Sequence, residues 1–134
     1  MLEGSEGADR VAMFEVAYET TFCSTHRLTA GGAPIEPMHG HDWRVEVVCA
    51  GDVLDHVGVV IDFEVLKKAL AEIGASFHYK DMNEHPAFRA QSPSAEAVAR
   101  HVFHELRRML GDEGRGLRRV RVWEAPGCSA TYYE

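Results

Sequence analysis

The chain is 134 residues long, 46% apolar and 26% charged, with a net charge of −7. That length and balance describe a single domain with a real core, too short for a metal-hydrolase barrel of roughly 250 residues. The negative charge argues against nucleic acid as a partner, which needs a basic face, and no apolar run reaches the ~18 residues of a membrane span. Met1 to Arg10 holds glycine, serine and acids without an apolar centre or a basic start, so a flexible tail is expected there, and one domain over residues 11–134. Val11 to Leu28 reads as a long strand. Val16, Tyr18, Thr20, Phe22, Ser24 and His26 fall on one face, so His26 shares its side with the apolar residues. Thr29 to Pro37 is broken by Gly31, Gly32, Pro34 and Pro37 and carries no regular element.

A second strand follows, His39 to Ala50, with His39, His41, Trp43, Val45, Val47 and Cys49 on one face. Side chains two apart on a strand point the same way, so His39 and His41 aim two imidazoles at one spot, and Gly40 leaves the opposite side bare. An HxH pair alone is as consistent with a surface pair as with a ligand pair. Successive strands joined by a loop usually pair antiparallel, which sets His26 beside His39 and His41 on the inward face. Three imidazoles in one place make the donor set of a zinc site with a position left open.

Gly51 to Gly58 is a loop, and Val59-Val60-Ile61 a short apolar strand. Asp62 suits a helix N-cap; Phe63, Leu66, Leu70 and Ile73 then recur at helical spacing, and Gly74 marks the stop. Ala75 to Gln91 is irregular and dense in titratable groups, which fits an active-site loop or a solvated surface loop equally. Ser92-Pro93-Ser94-Ala95-Glu96 is a helix start, with proline in the first turn. It leads into a stripe of Val98, Val102, Leu106 and Met109, with Gly111 as the stop. Leu117 to Ala125 alternates again, placing Val120, Val122 and Glu124 on one face, and Ser129 to Tyr133 is a last strand after the Pro126-Gly127 turn. Glu124 ends an apolar face, where a carboxylate needs a partner; a salt bridge and a ligand anchor both satisfy that. The order strand, strand, helix, helix, strand, strand gives an α+β unit with helices on one face of an antiparallel sheet. Its open edges favour association into a homo-oligomer. The three cysteines, Cys23, Cys49 and Cys128, are odd in number and form no CxxC, so a reducing, cytoplasmic setting is expected.

Taken together, Phe22-Cys23-Ser24-Thr25-His26-Arg27-Leu28, His39-Gly40-His41, Val60-Ile61-Asp62-Phe63, Ser92-Pro93-Ser94-Ala95-Glu96 and Glu124-Ala125-Pro126-Gly127-Cys128 resemble the 6-pyruvoyl-tetrahydropterin synthase family. That family includes the 6-carboxytetrahydropterin synthases of queuosine biosynthesis. The resemblance covers nearly everything after the tail. It implies a tunnelling fold with a four-stranded antiparallel sheet and two helices, associated as a trimer or a hexamer with sites at subunit interfaces. It implies Zn2+ held by His26, His39 and His41, and 7,8-dihydroneopterin triphosphate as the small-molecule pterin substrate. It also implies that Glu124 grips the amino-pyrimidine edge and that Ser94 contacts the pterin.

Two departures bear on catalysis. The family's cysteine base before the HGH strand is missing, and Glu36 is the only titratable side chain in Gly32 to Met38. A subgroup of the family uses glutamate there and cleaves the side chain to 6-hydroxymethyl-dihydropterin, so Glu36 is the expected general base. The Asp-His pair of the middle loop is also absent. His78 matches the histidine, with Phe77 in place of the aspartate, and is the expected proton-shuttling acid; Asp81 is a candidate substitute carboxylate. The expected activity is a zinc-dependent pterin lyase. The alternatives are the glutamate-type cleavage and a zinc- and pterin-binding homologue without catalysis.

Overall fold

The computed structural model describes residues 12–134. The expected tail over residues 1–10, and Val11 as the start of the first strand, lie outside the described residues. Two 13-residue strands, β1 (Phe14–His26) and β4 (His39–Gly51), pair antiparallel along their full length, from Phe14 opposite Gly51 to His26 opposite His39. Their alternation decides which side is covered: Phe22, Trp43, Val45 and Val47 are buried, while Thr21, Arg44 and Asp42 are exposed on the other side.

The connection between them is not featureless. β2 (Thr29–Ala30) and β3 (Ala33–Pro34) make a two-residue hairpin closed by Gly31 and Gly32, both at positive φ. Only glycine takes two such conformations in succession without steric cost. After β4, Val59-Val60-Ile61 forms no strand. The Val59 carbonyl accepts from Asp55 N–H and its own N–H donates to the Asp55 carboxylate, so its backbone is tied into a local loop and has nothing left for a sheet.

Helix α1 (Phe63–Ala75) begins at Asp62, whose side chain accepts from Glu64 N–H. It runs through the expected stop at Gly74; Ser76 ends it, its N–H and its hydroxyl both donating to the Ile73 carbonyl. Helix α2 (Ala95–Leu110) begins at Ser94, which accepts from Ala97 N–H, so Pro93 precedes the cap and is not in the first turn. Gly111, at positive φ, returns its N–H to Arg107 O. Between the helices, β5 (Lys80–Asp81) lies parallel to β1 at Ser24 and Thr25, and after α2 come β6 (Leu117–Ala125) and β7 (Cys128–Tyr133).

The sheet order is β5-β1-β4-β6-β7. The expected four-stranded, wholly antiparallel sheet is therefore a five-stranded mixed sheet. The extra strand has two residues, too few to show a period. It is held by Ser24 Oγ donating to Lys80 O and by Tyr79 N–H donating to Cys23 O. Both helices cover the face that carries Phe22, Trp43, Val45, Val47, Val120 and Val122, with Leu66, Leu70, Val98, Val102 and Leu106 buried against it. Each such side chain contributes ~1.5–3 kcal/mol by leaving water. At the far end of β4 the register shifts between Val48 and Cys49, which lets Val48, Cys49 and Ala50 all be buried. No helix among the described residues is long and apolar enough to cross a membrane.

Candidate active site

The site forms where β1 ends and β4 begins. His26 and His39 are direct cross-strand partners and His41 is two residues further on the same side, so the sheet register alone brings the three rings together. Their centroids are 4.6 Å (His26–His39), 5.2 Å (His26–His41) and 4.7 Å (His39–His41) apart. Trp43 packs beneath, edge-on to His26 at 4.9 Å and His41 at 5.7 Å, and its indole N–H donates to Ser24 O. Glu124 comes from β6, the next strand, at a register shift between Trp123 and Ala125. Its Oε1 lies 2.6 Å from His26 Nε2, 3.3 Å from His41 Nε2 and 3.9 Å from His39 Nε2. Four potential ligand atoms, one from each residue, lie within 4.8 Å of one another.

The protons settle what this cluster can do. His26 Nδ1 is 2.8 Å from Pro93 O and His39 Nδ1 is 2.9 Å from Pro37 O. A carbonyl only accepts, so each Nδ1 carries the proton, and in the neutral ring each Nε2 presents a lone pair. Those two Nε2 atoms face each other at 3.0 Å with a carboxylate oxygen beside them. His41 Nε2 is buried and has no hydrogen-bond partner; its approach to Glu124 is close but misdirected for a hydrogen bond. Burial first, and then the neighbouring His26 and His39, hold the His41 pKa below its ordinary 6.5, with Glu124 opposing, so this ring is neutral near pH 7. Two imidazole lone pairs facing each other beside a carboxylate are what a cation resolves, and the group of His26, His39, His41 and Glu124 could hold a metal ion.

Glu36 lies at the rim. Its Oε1 accepts from Leu28 N–H at 2.9 Å and is 3.8 Å from His39 Nε2. Ser94 reaches the cluster indirectly: it caps α2 while the carbonyl before it, on Pro93, holds His26. His78 is not brought to the cluster of its own chain. It sits at the edge of β1, where its Nδ1 accepts from Cys23 N–H and its ring packs on Tyr79. No hydrogen bond among the described residues joins Asp81 to it; the Asp81 carboxylate accepts from Asn83 N–H. The Cys23 thiol donates to Asp42, and that bond raises its pKa, which makes it a poor thiolate. A cavity of about 510 Å³ lies beside this edge, lined by Cys23, Thr25, His41, Asp42, Tyr79 and Asp81. It touches the cluster only at His41.

Residues 15–134 match the sequence profile described as 6-pyruvoyl tetrahydropterin synthase. The chain belongs to that family. A relative from Archaeoglobus fulgidus, provisionally named 6-carboxy-5,6,7,8-tetrahydropterin synthase, is 32% identical over 109 residues, covering 81% of this chain and 86% of its own. The 6-carboxy-5,6,7,8-tetrahydropterin synthase of Haemophilus influenzae is 26% identical, covering 91% and 100%. Among solved structures, the 6-pyruvoyl tetrahydropterin synthase of Caenorhabditis elegans superposes with a TM-score of 0.83 at 21% identity, over 93% of this chain and 98% of that one. Two variants of the Plasmodium vivax enzyme, in which a glutamate described as catalytic is replaced by cysteine or alanine, share the fold at a TM-score of 0.73 and 18% identity, over 92% and 98%.

The orienting carbonyls of Pro37 and Pro93 carry no side-chain signature in the sequence. Position alone left Glu124 open to a salt bridge or a ligand anchor, and the resemblance assigned it to the pterin; neither placed it among the three histidines. That β6 lies next to β4, the one fact needed to place Glu124 among the histidines, is a long-range pairing that no local pattern reports.

Proposed function

We propose that this member of the tetrahydropterin synthase family is a zinc-dependent lyase acting on 7,8-dihydroneopterin triphosphate, with His26, His39 and His41 holding the metal. The observation that carries the reading is the pair of Nε2 lone pairs, from His26 and His39, that meet beside the Glu124 carboxylate and the unpartnered His41 Nε2. Bound there, zinc would supply Lewis-acid polarisation of substrate oxygens, which makes the neighbouring carbon-bound protons more acidic. The chain does the rest. Glu124, with Ser94 and the start of α2, receives the pterin; a carboxylate can accept the two parallel N–H donors of the amino-pyrimidine edge. Glu36 takes the proton. The Leu28 N–H holds its Oε1 in place and leaves Oε2 free to act as base.

His78 returns a proton in a neighbouring copy of the chain. Its Nδ1 is occupied by a backbone donor, so its proton sits on Nε2, the end that faces outward from the β1 edge. This requires a homo-oligomer, a trimer or a hexamer, with sites at the interfaces. The open edges support it: β5 covers β1 only at Ser24 and Thr25, and β7 is unpaired on its outer side among the described residues.

The curated relatives favour the 6-carboxy product of the queuosine branch. A second reading, side-chain cleavage to 6-hydroxymethyl-dihydropterin, is favoured by Glu36 at the rim and by the catalytic glutamate of the Plasmodium vivax enzyme. Incubation of the zinc-loaded protein with 7,8-dihydroneopterin triphosphate, followed by mass spectrometry, separates them. Acetaldehyde release marks the first, 6-hydroxymethyl-dihydropterin the second, and binding without turnover a non-catalytic homologue.

A further inference from the structure

We infer that Glu124 is a ligand-exchange gate: without pterin its carboxylate is the fourth protein ligand of the metal, and an arriving substrate must displace it before its own oxygens can bind. The inference rests on the metal reading above and goes beyond it, since that reading gives Glu124 only to the pterin.

The geometry points here. Glu124 Oε1 is nearer to His26 Nε2, at 2.6 Å, than the facing imidazole nitrogens of His26 and His39 are to each other, at 3.0 Å. It lies within 3.9 Å of all three Nε2 atoms, so it shares the space that the three ring nitrogens leave for a cation. A carboxylate there supplies charge that three neutral imidazoles lack, and oxygen is an ordinary zinc donor beside nitrogen. The side chain is about one-third exposed; His39 is as open, but its ring is held from behind by Pro37 O, and His26 is fully buried, so Glu124 is the exposed member with no such tie. Its backbone lies at the register shift between β6 and β7, where one residue is freed from the ladder. None of the hydrogen bonds found among the described residues ties its side chain down outside the cluster.

The physical consequence is selectivity by exchange. A resting site closed by four protein ligands excludes water and small anions. A pterin offers the carboxylate two N–H donors in return for the metal contact it gives up, and other ligands do not.

The test uses the intact protein loaded with Co2+ or Zn2+. In Glu124→Gln, zinc affinity measured by chelator competition should fall by about tenfold or more. Azide should perturb the visible Co2+ spectrum of that variant at a concentration at least about tenfold lower than in the unaltered protein, because it no longer competes with a carboxylate. Glu124→Asp, which keeps the charge but retracts it by one methylene, should also admit azide more readily and guards against a folding defect in the first variant. Equal azide sensitivity and equal zinc affinity in all three proteins, with 7,8-dihydroneopterin binding lost only in the variants, would overturn the gate and leave the proposed lyase standing. Failure of the unaltered protein to take up either metal would overturn both.

Discussion

A histidine ring donates from one nitrogen and accepts at the other, and which does which is set by what lies behind it. In this site the backs of two rings are fixed by backbone carbonyls at Pro37 and Pro93, so the fronts present lone pairs that a cation could take. Glu36 is the adjacent acid whose role can be isolated by one atom. Glu36→Gln keeps an oxygen for the Leu28 N–H but cannot take a proton. Turnover should fall by about 10²-fold or more, with zinc content unchanged and KM altered little. Steady-state kinetics with metal analysis on the same sample checks this; turnover at the unaltered rate would remove Glu36 from the mechanism. The three histidines were legible in the sequence because a strand has a period of two and the pairing of β1 with β4 follows from adjacency in the chain. The place of Glu124 was not, because it depends on β6 crossing α1 and α2 to lie beside β4.

The start of α2 does two jobs with consecutive residues. Ser94 caps the helix through Ala97 N–H, and the carbonyl before it orients His26, so helix stability and ring orientation share one turn. Ser94→Ala should cost about 1 kcal/mol of stability in chemical denaturation. It should also weaken zinc binding, because a loosened turn lets the Pro93 carbonyl drift; a variant with lost stability but undiminished metal affinity would show that the two are independent. Caps such as Asp62 and Ser94 were readable because their side chains do the bonding locally. The two-residue β5 and the loop at Val59 were not readable: the first is made by a contact with Cys23 and Ser24 from β1, and the second by an Asp55 carboxylate that outbids the sheet for the Val59 backbone.

For the molecule as a whole, protonation opposes folding at several histidines. His85 and His101 lie against each other near α1 and α2, with ring centroids 5.3 Å apart. Burial lowers both pKa values first. Lys80 lowers His85 further and His85 lowers His101, while Glu105 raises both. His41 is lowered as well. Each folded value lies below the ordinary 6.5, so the unfolded chain binds more protons just below that pH. The stability held by the neutral rings is complete above 6.5 and lost as pH falls through the folded values. In metal-free protein, the melting temperature should be level above pH 6.5 and decline below it. The decline should be shallower when His85 and His101 are both replaced by asparagine; an unchanged slope would place the effect elsewhere. The packing of Trp43 against His26 and His41 has an optical consequence. The chain has two tryptophans, and the other, Trp123, packs against the Arg44 and Arg121 guanidinium groups on the opposite face of the sheet. With Trp123→Phe as background, the emission that remains comes from an indole packed on the histidine cluster. Quenching by added Co2+ would then count filled sites in real time, without a label or a substrate.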